Sequence, residues 1–302
     1  MRSVTALVES LLPLALALAY VRRVSHLRHH GSAPTWLRQL SFGVGLLLLL
    51  IATVGPMDDL ADEFVFGHMI QHTILTDEAA LLLAIGLTGP VLRPIMSAPG
   101  LRHLRKLMHP VLAIVLWIVV IYAWHVPSLY QAADEHALLH LLEHACFLGA
   151  GLVMWLALLG PLPKPQWFGH IAKVGYTGVI HFSSMGMANI LMWSGAVLYP
   201  IYVESDRAHG ISPLTDQSIA GAILMIQGGV IMLSVFFSIL IQWAREDTER
   251  QELIDFAERL RVPLSEARAS RAVAAGRGSQ LRTRLEEEAH RHGPQGQHPV
   301  PW

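Results

Sequence analysis

Long uncharged apolar runs constrain this chain more than any other feature of it. A hydrocarbon layer about 30 Å thick is crossed by about 20 apolar residues as a helix, and only helices and closed barrels satisfy their backbone there. About seven stretches meet that need: residues 4–21, 37–54, 64–87, 111–124, 137–159, 171–199 and 219–243. The fourth is short and is expected to begin nearer Leu107. Breakers separate the runs at Gly55-Pro56, Pro99-Gly100, Gly160-Pro161 and Pro213. Apolar residues make up 53% of the 302, and charged ones only 15%, against roughly a quarter in soluble domains. The expected fold is an all-α membrane protein. A bundle of about seven transmembrane helices occupies residues 1–245, and residues 246–302 form a short helical and partly disordered tail. The first run is not read as a cleaved signal, because Arg22-Arg23 follow it rather than precede it.

Positive charge marks the cytoplasmic side. It gathers after the first run (Arg22, Arg23, Arg28, Arg38), after the third (Arg93, Arg102, Arg105, Lys106) and after the fifth (Lys164, Lys173), and it returns in the tail from Arg245 to Arg291. Alternate loops are acidic, with Asp58, Asp59, Asp62 and Glu63, then Asp134 and Glu135, then Glu204 and Asp206. The N-terminus is therefore expected outside and the C-terminus in the cytoplasm. No Lys/Arg-rich patch or Gly-rich phosphate loop is visible, so no nucleic-acid partner is expected.

The lone cysteine, Cys146, excludes an internal disulfide and any thiolate cluster, whereas histidine and methionine number 17 and 11. Any metal chemistry must use imidazole, thioether and carboxylate. His68 and His72 fall in the first turns of the third run, His140 and His144 in those of the fifth, and His125 closes the fourth. Residues at i and i+4 share a helix face, so each pair can grip one ion. Glu143 lies near the face of His140. His181, Met185 and Met192 form a stripe on the sixth run, and imidazole with thioether suits Cu(I). Cys146 points away from the His144 face. Two acids, Asp77 and Glu78, sit deep in the third run. They either partner polar groups of neighbouring helices or a water-filled cavity, or form a proton or cation relay below the histidines. Asp62, Asp134 and Asp216 are read as caps at the starts of the third, fifth and last runs.

Beyond Trp243 an amphipathic pattern predicts a helix over residues 244–261, then helices over 264–275 and 279–290. The end is rich in Gly, Pro and His, and His290, His292 and His298 are read as a solvated low-complexity segment.

His68-Met69-Ile70-Gln71-His72 resembles the His-Met-x-Gln-His signature of the CtaG-type cytochrome c oxidase assembly factors. Trp124-His125-Val126-Pro127-Ser128-Leu129-Tyr130, Leu139-His140-Leu141-Leu142-Glu143-His144, Leu198-Tyr199-Pro200-Ile201-Tyr202 and Asp216-Gln217 resemble further motifs of that family, in order over residues 40–245. Thr76-Asp77-Glu78 departs from it, standing where the family pattern is more apolar, and the tail lies outside the likeness. The resemblance implies a multi-pass protein of the bacterial plasma (inner) membrane. It also implies a non-enzymatic role in maturing a haem-copper terminal oxidase, with oxidase subunits as partners and copper as cargo. The ligands it implies are His68, His72, His125, His140 and His144; the reading of the residues themselves adds His181, Met185, Met192, Glu143 and Asp77 as further candidates. Two other readings of the residues remain open. One is a membrane b-type cytochrome with bis-His haem. The other is an intramembrane zinc hydrolase with Asp77 or Glu143 as general base.

Overall fold

The computed structural model describes residues 2–98, 100 and 104–292. The break at Pro99, the charge at Arg102 and the end around His298 lie outside the described residues. The fold is 83% helix, with no strand among the described residues. In chain order the helices are α1 (Arg2–His29), α2 (Trp36–Thr53), α3 (Pro56–Glu63) and α4 (Val65–Thr73). A π-helical turn (Ile74–Ala79) joins α4 to α5 (Ala80–Gly86). Then come α6 (Gly89–Ser97), α7 (Leu104–Leu107), α8 (Pro110–Trp124), α9 (Pro127–Glu135), α10 (Ala137–Leu159) and α11 (His170–Trp193). A short 3₁₀ turn (Pro200–Tyr202), α12 (Val203–Ala208), α13 (Pro213–Arg259), α14 (Glu266–Ala274) and α15 (Gly278–His292) complete the chain.

By length and apolarity α2, α10 and α13 can each cross a membrane, which gives three spans. Two bent pairs raise the number to five: residues 65–97, with a 96° bend, and α8 with α9, with a 74° bend. The 24-residue α11 has the length, but Lys173, His181, Ser183, Ser184 and Asn189 dilute its hydropathy. Large apolar side chains stay exposed in helical stripes: Leu40, Leu47 and Ile51 on α2, Val115 and Val119 on α8, Ile226, Val230 and Leu233 on α13. Such stripes are costly in water and natural against lipid tails, so the protein is a membrane protein.

Several local expectations change. The fourth run starts at Pro110 and not near Leu107, because His109 is extended and Pro110 takes the first helical position. The sixth stops at Trp193, and Gly195 beyond it has φ of 64°. The last begins at Pro213 and runs without a break for 47 residues. Asp62 and Asp134 do not stand at the N-cap positions: each belongs to a separate short helix, and the N-caps that follow are Phe64 and His136. Asp216 does cap, but on another helix. Its Oδ2 accepts the Val65 amide at 2.7 Å and its Oδ1 the Phe66 amide at 2.9 Å, at the start of α4.

The π turn is held by α10. Gly151 lets the two backbones meet, for a Cβ there would lie 2.3 Å from the Thr76 carbonyl oxygen. The Trp155 indole N–H then donates to that carbonyl at 3.2 Å. A widened turn re-aims the side chains that follow it.

Contacts divide the chain into two compact units, Met1–Ser234 and Val235–Trp302. The second has its own core of Leu253, Ala257, Val273, Leu281 and Leu285, with Ser265 accepting the Arg268 amide as the N-cap of α14.

Candidate metal centre

α10 packs along the π turn and α5, and side chains from α4, just ahead of that turn, converge with those of the first turns of α10 to set the site. His68, His72 and Glu143 each offer one ligand atom, all within 4.8 Å of one another, and all three residues are buried. Glu143 Oε2 lies 3.9 Å from His68 Nε2, and its Oε1 lies 3.7 Å from His72 Nε2. Those gaps are too long for hydrogen bonds. The carboxylate oxygens, His68 Nε2 and both nitrogens of His72 have no hydrogen-bond partner among the described residues. Buried polar atoms without partners are costly, and a cation held between them removes that cost.

The remaining imidazoles surround this core. Ring centroids lie 5.9 Å apart for His68 and His140, 5.9 Å for His72 and His144, and 6.1 Å for His72 and His125. His125 sits at the bend between α8 and α9. Its Nδ1 is 2.7 Å from the Ile121 carbonyl, to which it must donate. In a neutral imidazole that leaves a lone pair on Nε2, which faces the Met69 thioether at 3.2 Å. Neither atom then has a hydrogen to give.

Other neighbours orient the ligands, as outer partners of metal histidines do. The Gln71 amide nitrogen donates to the Ala52 carbonyl at 2.8 Å and to Asp58 Oδ1 at 3.2 Å. Its oxygen is thereby turned to His144 Nε2 at 3.2 Å. The Tyr202 hydroxyl is hydrogen-bonded to His68 Nδ1 at 3.3 Å and to the Tyr130 hydroxyl at 3.0 Å. Tyr199 donates to the His125 carbonyl at 3.0 Å and stacks on Tyr130 at 3.9 Å. These rings close over the histidines, and His68, His72, His125, Glu143 and His144 are between 0 and 8% exposed.

Of the residues singled out from sequence, His68, His72, His125, His140, His144 and Glu143 therefore come together. Asp77 lies further along, beside a cavity that His72 and His125 also line. His181, Met185 and Met192 do not join the group: His181 stacks near Phe182, the Met185 carbonyl accepts from Asn189, and Met192 packs at Gly221. On α11 it is Ser184 and Met187 that reach the cavity. Sequence reasoning missed Met69, Gln71, Met187 and the tyrosines as parts of a site. Met69 and Gln71 stood inside the quoted His-Met-x-Gln-His motif, and their types were the available signal.

The sequence model of the cytochrome c oxidase caa3 assembly factors matches residues 18–246. Among curated proteins, the uncharacterized protein ML1998 of Mycobacterium leprae (strain TN) is 24% identical over 253 residues, covering 78% of this chain and 38% of its own length. The uncharacterized protein Mb0105 of Mycobacterium bovis is 23% identical over 251 residues, covering 77% and 38%. The chain thus spans about two fifths of the length of these relatives. No solved structure matches it. With three quarters of its length matched in one piece, motifs included, the chain belongs to the cytochrome c oxidase caa3 assembly factor family.

Proposed function

We propose that this protein binds copper(I) in the buried cage and passes it to a subunit of a haem-copper oxidase, acting as a metallochaperone rather than as an enzyme. The observation that carries the reading is the His125–Met69 contact, where two soft acceptors face each other at 3.2 Å with no hydrogen between them. Thioether and imidazole together select Cu(I) over zinc. Glu143 brings one negative charge, so a singly charged ion leaves the buried centre neutral. Without thiolates the affinity stays moderate, and the ion can be released to a stronger acceptor.

A second reading is favoured by the His68–His72–Glu143 group itself. Two imidazoles and one carboxylate form a common zinc set, and Glu143 is a harder ligand than copper(I) needs. The b-type cytochrome reading has less support. The cavity at His72 and His125 holds about 30 Å³, far below the roughly 300 Å³ where small-molecule pockets begin.

The membrane arrangement we propose counts α1 and α11 with the three long helices and two bent pairs, making about seven spans. The N-terminus lies outside and the tail inside, by the Lys/Arg asymmetry, in the bacterial plasma membrane. Reporter fusions at Asp58 and Asp134 are expected to be extracytoplasmic, and fusions after Trp243 cytoplasmic.

The direct test is metal analysis of protein purified in mild detergent under reducing conditions. The reading expects copper bound in the unaltered chain and lost on replacing His68 and His72 by Ala. The same double variant should lower oxidase activity in cells while oxidase polypeptides are still made, with partial rescue by excess copper. Zinc in place of copper, or normal oxidase activity in a deletion strain holding no other such factor, would sink it.

A further inference from the structure

We propose that Asp77 forms a second cation station, reached from the histidine cage through the cavity between them, and that it takes the same singly charged soft ion. The inference rests on the copper reading above. His72, His125 and Asp77 all line the cavity, with Thr73, Thr76, Ser184 and Met187 also on its wall. Asp77 is five residues on from His72, about 7.5 Å along an ideal α-helix.

The walls present acceptors. Asp77 is only 6% exposed, and its Oδ1 has no hydrogen-bond partner among the described residues. The Thr73 hydroxyl spends its hydrogen on the Ile70 carbonyl at 2.9 Å, and the Thr76 hydroxyl on the His72 carbonyl at 2.7 Å. Their oxygens therefore offer the cavity only lone pairs, and the Met187 thioether has nothing to donate, which leaves Ser184 as the one lining hydroxyl with a hydrogen not already spent in a described bond. A water molecule can bridge acceptors, but it leaves a buried carboxylate uncompensated, which is the expensive part. A monovalent cation meets both needs. The charge pattern repeats from one station to the next: Glu143 supplies one carboxylate to the cage, Asp77 one to the inner cavity. Each station is neutral when it holds one singly charged ion, whereas a divalent ion would leave a net charge at both. Glu78, next in the chain, is turned to a different partner, with its Oε1 accepting from the Gln227 side-chain amide.

The π turn supports the placement. Asp77 lies in its middle, in the segment Ile74–Ala79, where the widened turn displaces a side chain from the ordinary helical register. The turn is pinned by Trp155 on the Thr76 carbonyl, so the direction of Asp77 is set by packing.

The experiment is silver(I) binding to the purified full chain, read by calorimetry and by metal content after gel filtration. The unaltered protein is expected to hold two ions. Asp77→Asn should hold one, with the tighter site retained, and Asp77→Glu should recover the second with affinity reduced about tenfold. His68→Ala with His72→Ala should lose the cage ion. A single ion in the unaltered chain that Asp77→Asn leaves unchanged overturns this inference while the copper reading stands. No bound ion at all overturns both. If Asp77→Asn fails to fold, anomalous diffraction from silver-soaked crystals of the unaltered protein decides: a peak at the Asp77 carboxylate supports the station, and silver confined to the histidines removes it.

Discussion

Asp216 lies in the first turn of one helix and holds the start of another: its carboxylate receives the Val65 amide, 151 residues earlier in the chain, at 2.7 Å. The cap ties α13 to the first turn of the helix carrying His68 and His72. Losing two charge-assisted hydrogen bonds at a helix start costs about 2 kcal/mol. Asp216→Ala should lower the thermal unfolding midpoint in detergent and, because the first turn of α4 frays, weaken metal binding as well. Unchanged stability would mean that water serves those amides equally well.

A second variant tests the helix contact behind the π turn. Gly151→Ala places a methyl group 2.3 Å from the Thr76 carbonyl oxygen, and backbone cannot give way as a side chain can. The expected cost is about 2 kcal/mol or more. Gly149, two residues earlier, meets nothing within 4 Å, so Gly149→Ala should be neutral or gain up to about 1 kcal/mol from helix propensity. The pair can be compared by thermal unfolding followed by circular dichroism.

Met69→Leu keeps the volume of the buried side chain and removes the sulfur. The copper reading expects copper(I) affinity to fall about tenfold, measured by competition with a colorimetric chelator, while zinc affinity stays level. An equal fall for both metals would point to disturbed packing, and no fall for copper would remove Met69 from the ligand set.

Outside the spans, Asp206 provides a pH test. It is buried, and burial first, then the neighbouring Asp216, push its carboxyl up from 3.8 to about 6. Protonated, Asp206 can donate to Asp216; ionised, its two oxygens have no donor. The folded state therefore favours the acid form. Its contribution to stability is complete below about pH 4 and is lost as pH rises through about 6. The unfolding midpoint should fall by a few degrees from pH 5 to 7. Asp206→Asn, which keeps a donor at every pH, should remove that fall and unfold later at pH 7.

The histidine pairs were legible because helical periodicity is local: His68 with His72, and His140 with His144, share a face whatever surrounds them. Glu143 was visible for the same reason, three residues on from His140 and near its face. What each face meets is set by packing, and there local reasoning stops. Met69 points about 100° away from His68 around the helix, and only the bend at α8 brings His125 to it. The stripe on α11 had the right spacing in Met185 and Met192, yet rotation of the helix presents Met187. No spacing announces the π turn, since Trp155 and Gly151 create it from another helix. The Asp216 cap likewise spans too much chain for any window to catch. Spans were harder to count than to detect, because short helices follow the third and fourth runs after sharp bends, at Leu87–Thr88 and His125–Val126, and only counting each bent pair as one span raises three spans to five.

The tyrosine clasp over the cage has a kinetic consequence. Tyr130, Tyr199 and Tyr202 join His68 and the His125 backbone in one hydrogen-bonded cover. On the copper reading, an ion leaving past this cover can do so no faster than the cover opens, however weakly it is held. Retention time and affinity then become separate quantities. Added chelator should accelerate release only up to a ceiling set by the opening step, and Tyr202→Phe should raise that ceiling without moving the equilibrium constant far. On that reading, an acceptor protein that pries at the clasp would gain the ion quickly while small molecules wait for chance openings, and timing would select the recipient.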